Sequence, residues 1–98
     1  MNDHVISCPE VGYHVTTDRK VARYVATGAI IAPVRFWPSE EQAAKWAEKT
    51  GRGVILRLDL RGKISHPIPD HKPARFTPDD VSSWEVIRRS HEKEKRPR

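Results

Sequence analysis

Five histidines and one cysteine are the residues of this 98-residue chain whose types first suggest chemistry. A metal site needs ligands at short, fixed spacings. His4, His14, His66, His71 and His91 contain no i, i+4 pair, and the nearest two, His66 and His71, lie in a Pro-rich stretch with no cysteine beside them. No metal is expected. Cys8 precedes Pro9, with no helix N-terminus to lower its thiol pKa, so it is read as a bystander rather than a nucleophile. A single cysteine makes no internal disulfide, and a fold standing on packing alone fits a reducing, cytoplasmic setting.

His14 is the better candidate. It is followed by Thr16 and Thr17 at a strand-to-helix junction, where side chains and free backbone N–H groups can meet a ligand. The competing reading is a histidine that hydrogen-bonds the backbone of its own turn. The net charge of +5 and pI near 9.7 suggest nucleic acid until the charge is divided along the chain. Residues 88–98 hold six Lys/Arg against Glu92 and Glu94, which leaves residues 1–87 with twelve positive and eleven negative side chains. The basicity thus belongs to the end of the chain, read as a disordered tail over 89–98 with a weak attraction for polyanions. Residues 1–88 are read as one domain, and no apolar run approaches the roughly 18 residues of a membrane span.

The elements that must position these groups follow from periodicity. VGYHVT (11–16) alternates as a strand, which puts His14 and Thr16 on one face. TDRKVARYVATG reads as a helix from a Thr17 or Asp18 cap to Gly28, with Val21, Tyr24 and Val25 as its apolar stripe. Val34–Trp37 is a short strand. Ser39 with Gln42 three residues on makes a capping box for a second helix running to Gly51, with Ala43, Trp46 and Ala47 on its apolar face. VILRLDL (54–60) is the clearest strand and belongs at the centre of the sheet; 61–77 reads as a long loop, and SSWEVIRR as the last strand. The expected fold is α+β, with a mixed or antiparallel sheet and two main helices. Glycine-rich dinucleotide and phosphate-loop motifs are lacking, which disfavours a doubly wound sheet.

Taken in order, YHVTTDRKVARYVATGAI, RFWPSEEQAAKWAEKTGRGVILRLDL and FTPDDVSSWEVI resemble the small members of the ADP-ribosyltransferase-like superfamily, which includes the RNA 2'-phosphotransferases. The similarity spans residues 13–87. It rests on a first-strand His-x-Thr, a helix closed by glycine, a Ser-x-x-x-Ala helix start, a hydrophobic strand ending in Asp-Leu and a late Pro-containing turn. It implies an ADP-ribosyltransferase-like fold and a site for NAD or another phosphorylated nucleotide. By that resemblance His14 contacts the adenosine ribose and Thr16 is the small residue beside it. Trp37 stacks on nicotinamide, or is a packed strand tryptophan. Ser39 touches the nucleotide, or simply caps its helix. Arg75 takes the place of a late phosphate-binding arginine. The glutamate that stabilises charge at the anomeric carbon is missing from HKPARFTPDD, and Glu85 is the nearest candidate.

Three functions follow as expectations. The first is NAD or nucleotide binding, with transfer of ADP-ribose, at His14, Thr16, Trp37, Ser39, Arg75 and Glu85. The second is a noncatalytic interaction or inhibitor protein presenting an exposed Phe36–Trp37 pair to a protein partner. The third is a nucleic-acid module led by the tail and by Arg19, Lys20 and Arg23, charges otherwise read as the solvated face of the first helix.

Overall fold

In the computed structural model, which describes residues 6–71 and 73–89, the elements run β1 (Ile6–Ser7), β2 (Val11–Thr16), α1 (Asp18–Thr27), β3 (Val34–Phe36), α2 (Glu40–Thr50), β4 (Val54–Asp59), β5 (Ile64–Pro67), β6 (Arg75–Thr77) and β7 (Trp84–Arg89). Residues 90–98, and with them most of the expected tail, lie outside the described residues, as do His4, His91 and Lys72. Among the described residues, no helix is long and apolar enough to cross a membrane.

The alternation of β2 finds its partner in β4, with His14 opposite Leu56 and Thr16 opposite Val54. β7 flanks β4 on its other side, so VILRLD is central as its pattern predicts. Over 54–56 β4 is buried on both faces because both are covered there, while Arg57 further along is exposed. Val54, Leu56 and Leu58 enter one core with Val21, Val34 and Phe36, while Ile55 enters a second core with Val15, Ala43 and Ala47. A strand buried on two sides needs apolar residues in succession, and Val54–Leu56 supplies them.

The expected loop over 61–77 contains β5 and β6. Pro67 ends one and Pro73 precedes the other, so the runs are only four and three residues long. That is too short for a period of two to declare itself. They pair with each other, and β6 pairs with β3, giving a second sheet in the order β1-β5-β6-β3. All strand pairings among the described residues are antiparallel, in two small sheets rather than one. A bridge joins the sheets: Tyr13 N–H donates to the Trp37 carbonyl at 2.9 Å and Trp37 N–H to the Tyr13 carbonyl at 2.8 Å.

Both helices begin and end where their cap residues stand. Thr17 Oγ1 accepts from Lys20 N–H at 3.3 Å and Ser39 Oγ from Gln42 N–H at 3.2 Å. Gly28 and Gly51 close them with φ of 87° and 76°, a conformation costly for residues with a Cβ. The reciprocal half of the Ser39 capping box does not form, since Gln42 Oε1 is buried without a hydrogen-bond partner among the described residues.

Gly12 sits where β2 passes over the larger core. A Cβ there would lie 2.6 Å from Leu60 Cδ1 and 2.7 Å from Phe36 Cδ1, both in fully buried side chains. Gly12→Ala is therefore expected to destabilise the fold by about 2 kcal/mol through overpacking. Urea denaturation would show the midpoint fall; an unchanged midpoint would mean that the core yields there.

Candidate functional site

His14 lies at the meeting point of three elements. The alternation of β2 turns it away from Val15, and toward β3 and α1. Its Nδ1 is 2.7 Å from the carbonyl oxygen of Arg35 on β3, and its Nε2 is 3.1 Å from the hydroxyl of Tyr24 on α1. The same hydroxyl is 3.2 Å from Oγ1 of Thr16, which is fully buried. Burial pushes the His14 pKa down to about 4, outweighing the Arg35 carbonyl, and the charges of Lys20, Arg52 and Arg35 push the same way. The ring is neutral at pH 7 and carries one proton. A carbonyl oxygen only accepts, so that proton is on Nδ1. Nε2 is then an acceptor and the Tyr24 phenol donates to it. With the phenol proton so used, the Thr16 hydroxyl donates to the Tyr24 oxygen. The chain of donors is ordered from Thr16 to Tyr24 to His14 to the β3 backbone.

Above this chain opens a cavity of about 500 Å³. One face of α1 supplies Lys20, Arg23, Tyr24 and Thr27, residues at i, i+3, i+4 and i+7. β3 supplies Arg35, and Trp37 just beyond it is on the same side, because Val34 and Phe36 take the alternate positions into the core. α2 supplies Trp46, and Arg52 follows the Gly51 turn. The two indoles lie 5.4 Å apart between centroids with planes 31° apart. Lys20, Arg23, Arg35 and Arg52 make no ion pair among the described residues, and no carboxylate lines the cavity. Four uncompensated cations beside aromatic walls form a field for a polyanion carrying a planar ring.

The structure brings His14, Thr16 and Trp37 together. Trp37 lines the cavity while only 5% exposed, and Phe36 is fully buried. The expected exposed aromatic pair is therefore corrected: β3 alternation puts Phe36 in the core, and the sheet-to-sheet bridge holds Trp37. Ser39 acts as the α2 cap. Arg75, on β6, donates from Nε to Ser65 Oγ at 2.7 Å and from Nη2 to the Ser65 carbonyl at 3.1 Å, and is not among the residues lining the His14 cavity. Glu85 pairs with Arg57 across β7 and β4. The two line a separate hollow of about 310 Å³ with Asp59 and Arg61, where opposite charges already neutralise one another. Arg61 holds the Asp59 carboxyl down at about 2. Cys8 is near Ser65 and Thr77, and burial pushes its thiol up.

Sequence reading missed Tyr24, Arg35, Arg52 and Trp46 as site residues, and named Lys20 and Arg23 only as part of a nucleic-acid surface. Lys20 and Arg23 were expected on a solvated face, with Val25 in the apolar stripe. Val25 is 67% exposed, and Lys20 and Arg23 turn to the cavity. The signal was present: 20, 23, 24 and 27 obey the same helical spacing as an apolar stripe, written in polar residues. The chain matches no protein-family model, no curated protein and no solved structure.

A buried neutral histidine makes stability depend on pH. The unfolded chain binds the proton near the ordinary value of 6.5 and the folded chain only near 4. The His14 contribution is complete above about pH 6.5 and is lost as the pH falls toward 4, by about 3 kcal/mol in all. Urea denaturation at pH 7 and pH 4.5 should therefore show a drop in unfolding free energy that is about 2 kcal/mol smaller in His14→Gln. Equal drops in the two proteins would mean that His14 titrates alike in both states.

Proposed function

We propose that this protein is a nucleotide-binding domain of ADP-ribosyltransferase-like fold, with NAD or another phosphorylated nucleotide as the ligand of the His14 cavity. The observation that carries the reading is the convergence of Lys20, Arg23, Arg35 and Arg52, unpaired among the described residues, on a cavity walled by Tyr24, Trp37 and Trp46. Guanidinium groups grip phosphate oxygens in pairs, and tryptophan offers a flat face to a base or nicotinamide ring. A cavity of about 500 Å³ falls in the size range of small-ligand sites. The fold supports the reading in its coarse form, an α+β arrangement of two helices and two antiparallel sheets.

Recognition is favoured over transfer. Breaking the bond between nicotinamide and ribose develops positive charge at the anomeric carbon, which a carboxylate must stabilise. Glu85, the candidate by resemblance, faces Arg57 in the other hollow, and the surroundings of His14 are cationic. The protein on this reading holds a nucleotide without cleaving it, close to the expected noncatalytic regulator but with the nucleotide as its ligand. Arg75 and Ser39 belong to the scaffold around that site.

Calorimetric titration with NAD, ADP-ribose and a 2'-phosphorylated oligoribonucleotide tests this. At least one should bind, with affinity that falls as salt is raised and falls about tenfold or more in Arg52→Ala, the loss of one charged hydrogen-bonding group. Absence of heat with all three would refute the reading. Release of nicotinamide from NAD by the wild-type protein would refute its noncatalytic half alone.

A further inference from the structure

Arg35 and Pro33 line a second hollow as well as the His14 cavity. Its volume is about 280 Å³, and Pro67, Ile68, Pro69 and Phe76 complete its walls. The second sheet builds it. Arg35 on β3 stands opposite Phe76 on β6, and Phe76 opposite His66 on β5, so the three side chains form one row across the sheet. Their chain neighbours Val34, Phe36, Ser65 and Thr77 are buried, so by alternation the row lies on the face turned away from the core. His66 stacks on Phe76 at 5.1 Å between centroids with planes 21° apart, and backs the phenyl ring. Proline has no N–H to offer. Among the described residues lining this hollow, Arg35 alone has a charged or hydrogen-bonding side chain.

The shared residues make the two hollows neighbouring parts of one site. A phosphate held by Arg35 therefore carries whatever is esterified to it toward the second hollow. Apolar walls with one cation at the edge suit a neutral apolar group. A polar group would give up its water there without a partner, and a cationic ring would stand beside a guanidinium with no lining carboxylate to offset it. The hollow is small for an entire ligand and large enough for one substituent. We propose that the ligand is a nucleotide conjugate whose terminal phosphate carries a neutral apolar group of about benzyl size: the nucleotide lies in the His14 cavity, its terminal phosphate reaches Arg35, and the apolar group fills the hollow beside Phe76. The inference rests on reading the cavity as a nucleotide site, and adds what that nucleotide bears and which residues receive it.

Two esters of ADP on its terminal phosphate, methyl and benzyl, carry the same charge and differ only in the apolar group. Calorimetric titration of the wild-type protein should show the benzyl ester binding about tenfold more tightly, through the apolar area it buries. In Phe76→Ala that preference should fall to about twofold or less. The ester of the same size with a pyridinium in place of the phenyl ring should bind wild type more weakly than the benzyl ester does. Equal affinities of the methyl and benzyl esters, a preference that survives Phe76→Ala, or a pyridinium ester that binds as well as the benzyl one each overturn the inference while leaving the nucleotide site standing. No binding of any of the esters removes the nucleotide site, and the inference with it. A measurement on the wild-type protein guards against misfolding of the variant: the benzyl protons should show nuclear Overhauser contacts with the Phe76 ring and the Ile68 methyl groups. Contacts with Trp37 and Trp46 instead contradict the proposal.

Discussion

The rest of the structure depends on how the His14 ring is held. Its two nitrogens tie β2 to the backbone of β3 and to α1, at the place where the two sheets meet through the Tyr13–Trp37 bridge. Burial keeps the ring neutral, neutrality with the Arg35 carbonyl dictates the tautomer, and the tautomer dictates the direction of the Tyr24 and Thr16 hydroxyls. A protonated ring would have no acceptor for the phenol and would stand among Lys20, Arg35 and Arg52 as a further positive charge. Low pH thus acts on packing and on the site through one group.

Charge is segregated in space far more than composition suggests. Residues 1–87 are close to neutral, yet the acids and bases are not mixed evenly. Arg57, Arg61 and Arg89 find Glu85, Asp59 and Asp18, while Lys20, Arg23, Arg35 and Arg52 face one cavity without a carboxylate. Like charges brought together repel, and a fold that keeps them so is suited to an anionic ligand that relieves the repulsion. Exposed pairs such as Arg61–Asp59 contribute little to stability by comparison.

Elements with a long period were legible in the sequence. Thr17, Gly28, Ser39 and Gly51 bracket both helices where their chemistry says they should, and β2 and β4 show their two faces by alternation. β5 and β6 were hidden because strands of four and three residues, bounded by prolines, differ little from a loop until a neighbour pairs with them. The site was half legible. His14 with Thr16 could be placed on one face from β2 alone, but its partners come from 10 and 21 residues further along the chain. Arg35 contributes a backbone oxygen, which no side-chain pattern announces. Trp37 could not be assigned from type alone, and the structure shows it buried in the second core while it lines the cavity.

The protonation state of His14 is the point on which packing and electrostatics converge, and ¹⁵N-detected NMR of the histidine rings at pH 6 reads it directly. The account predicts for His14 a neutral ring with a protonated Nδ1 and an unprotonated, hydrogen-bonded Nε2. An imidazolium at that pH, or a neutral ring with its proton on Nε2, would contradict it.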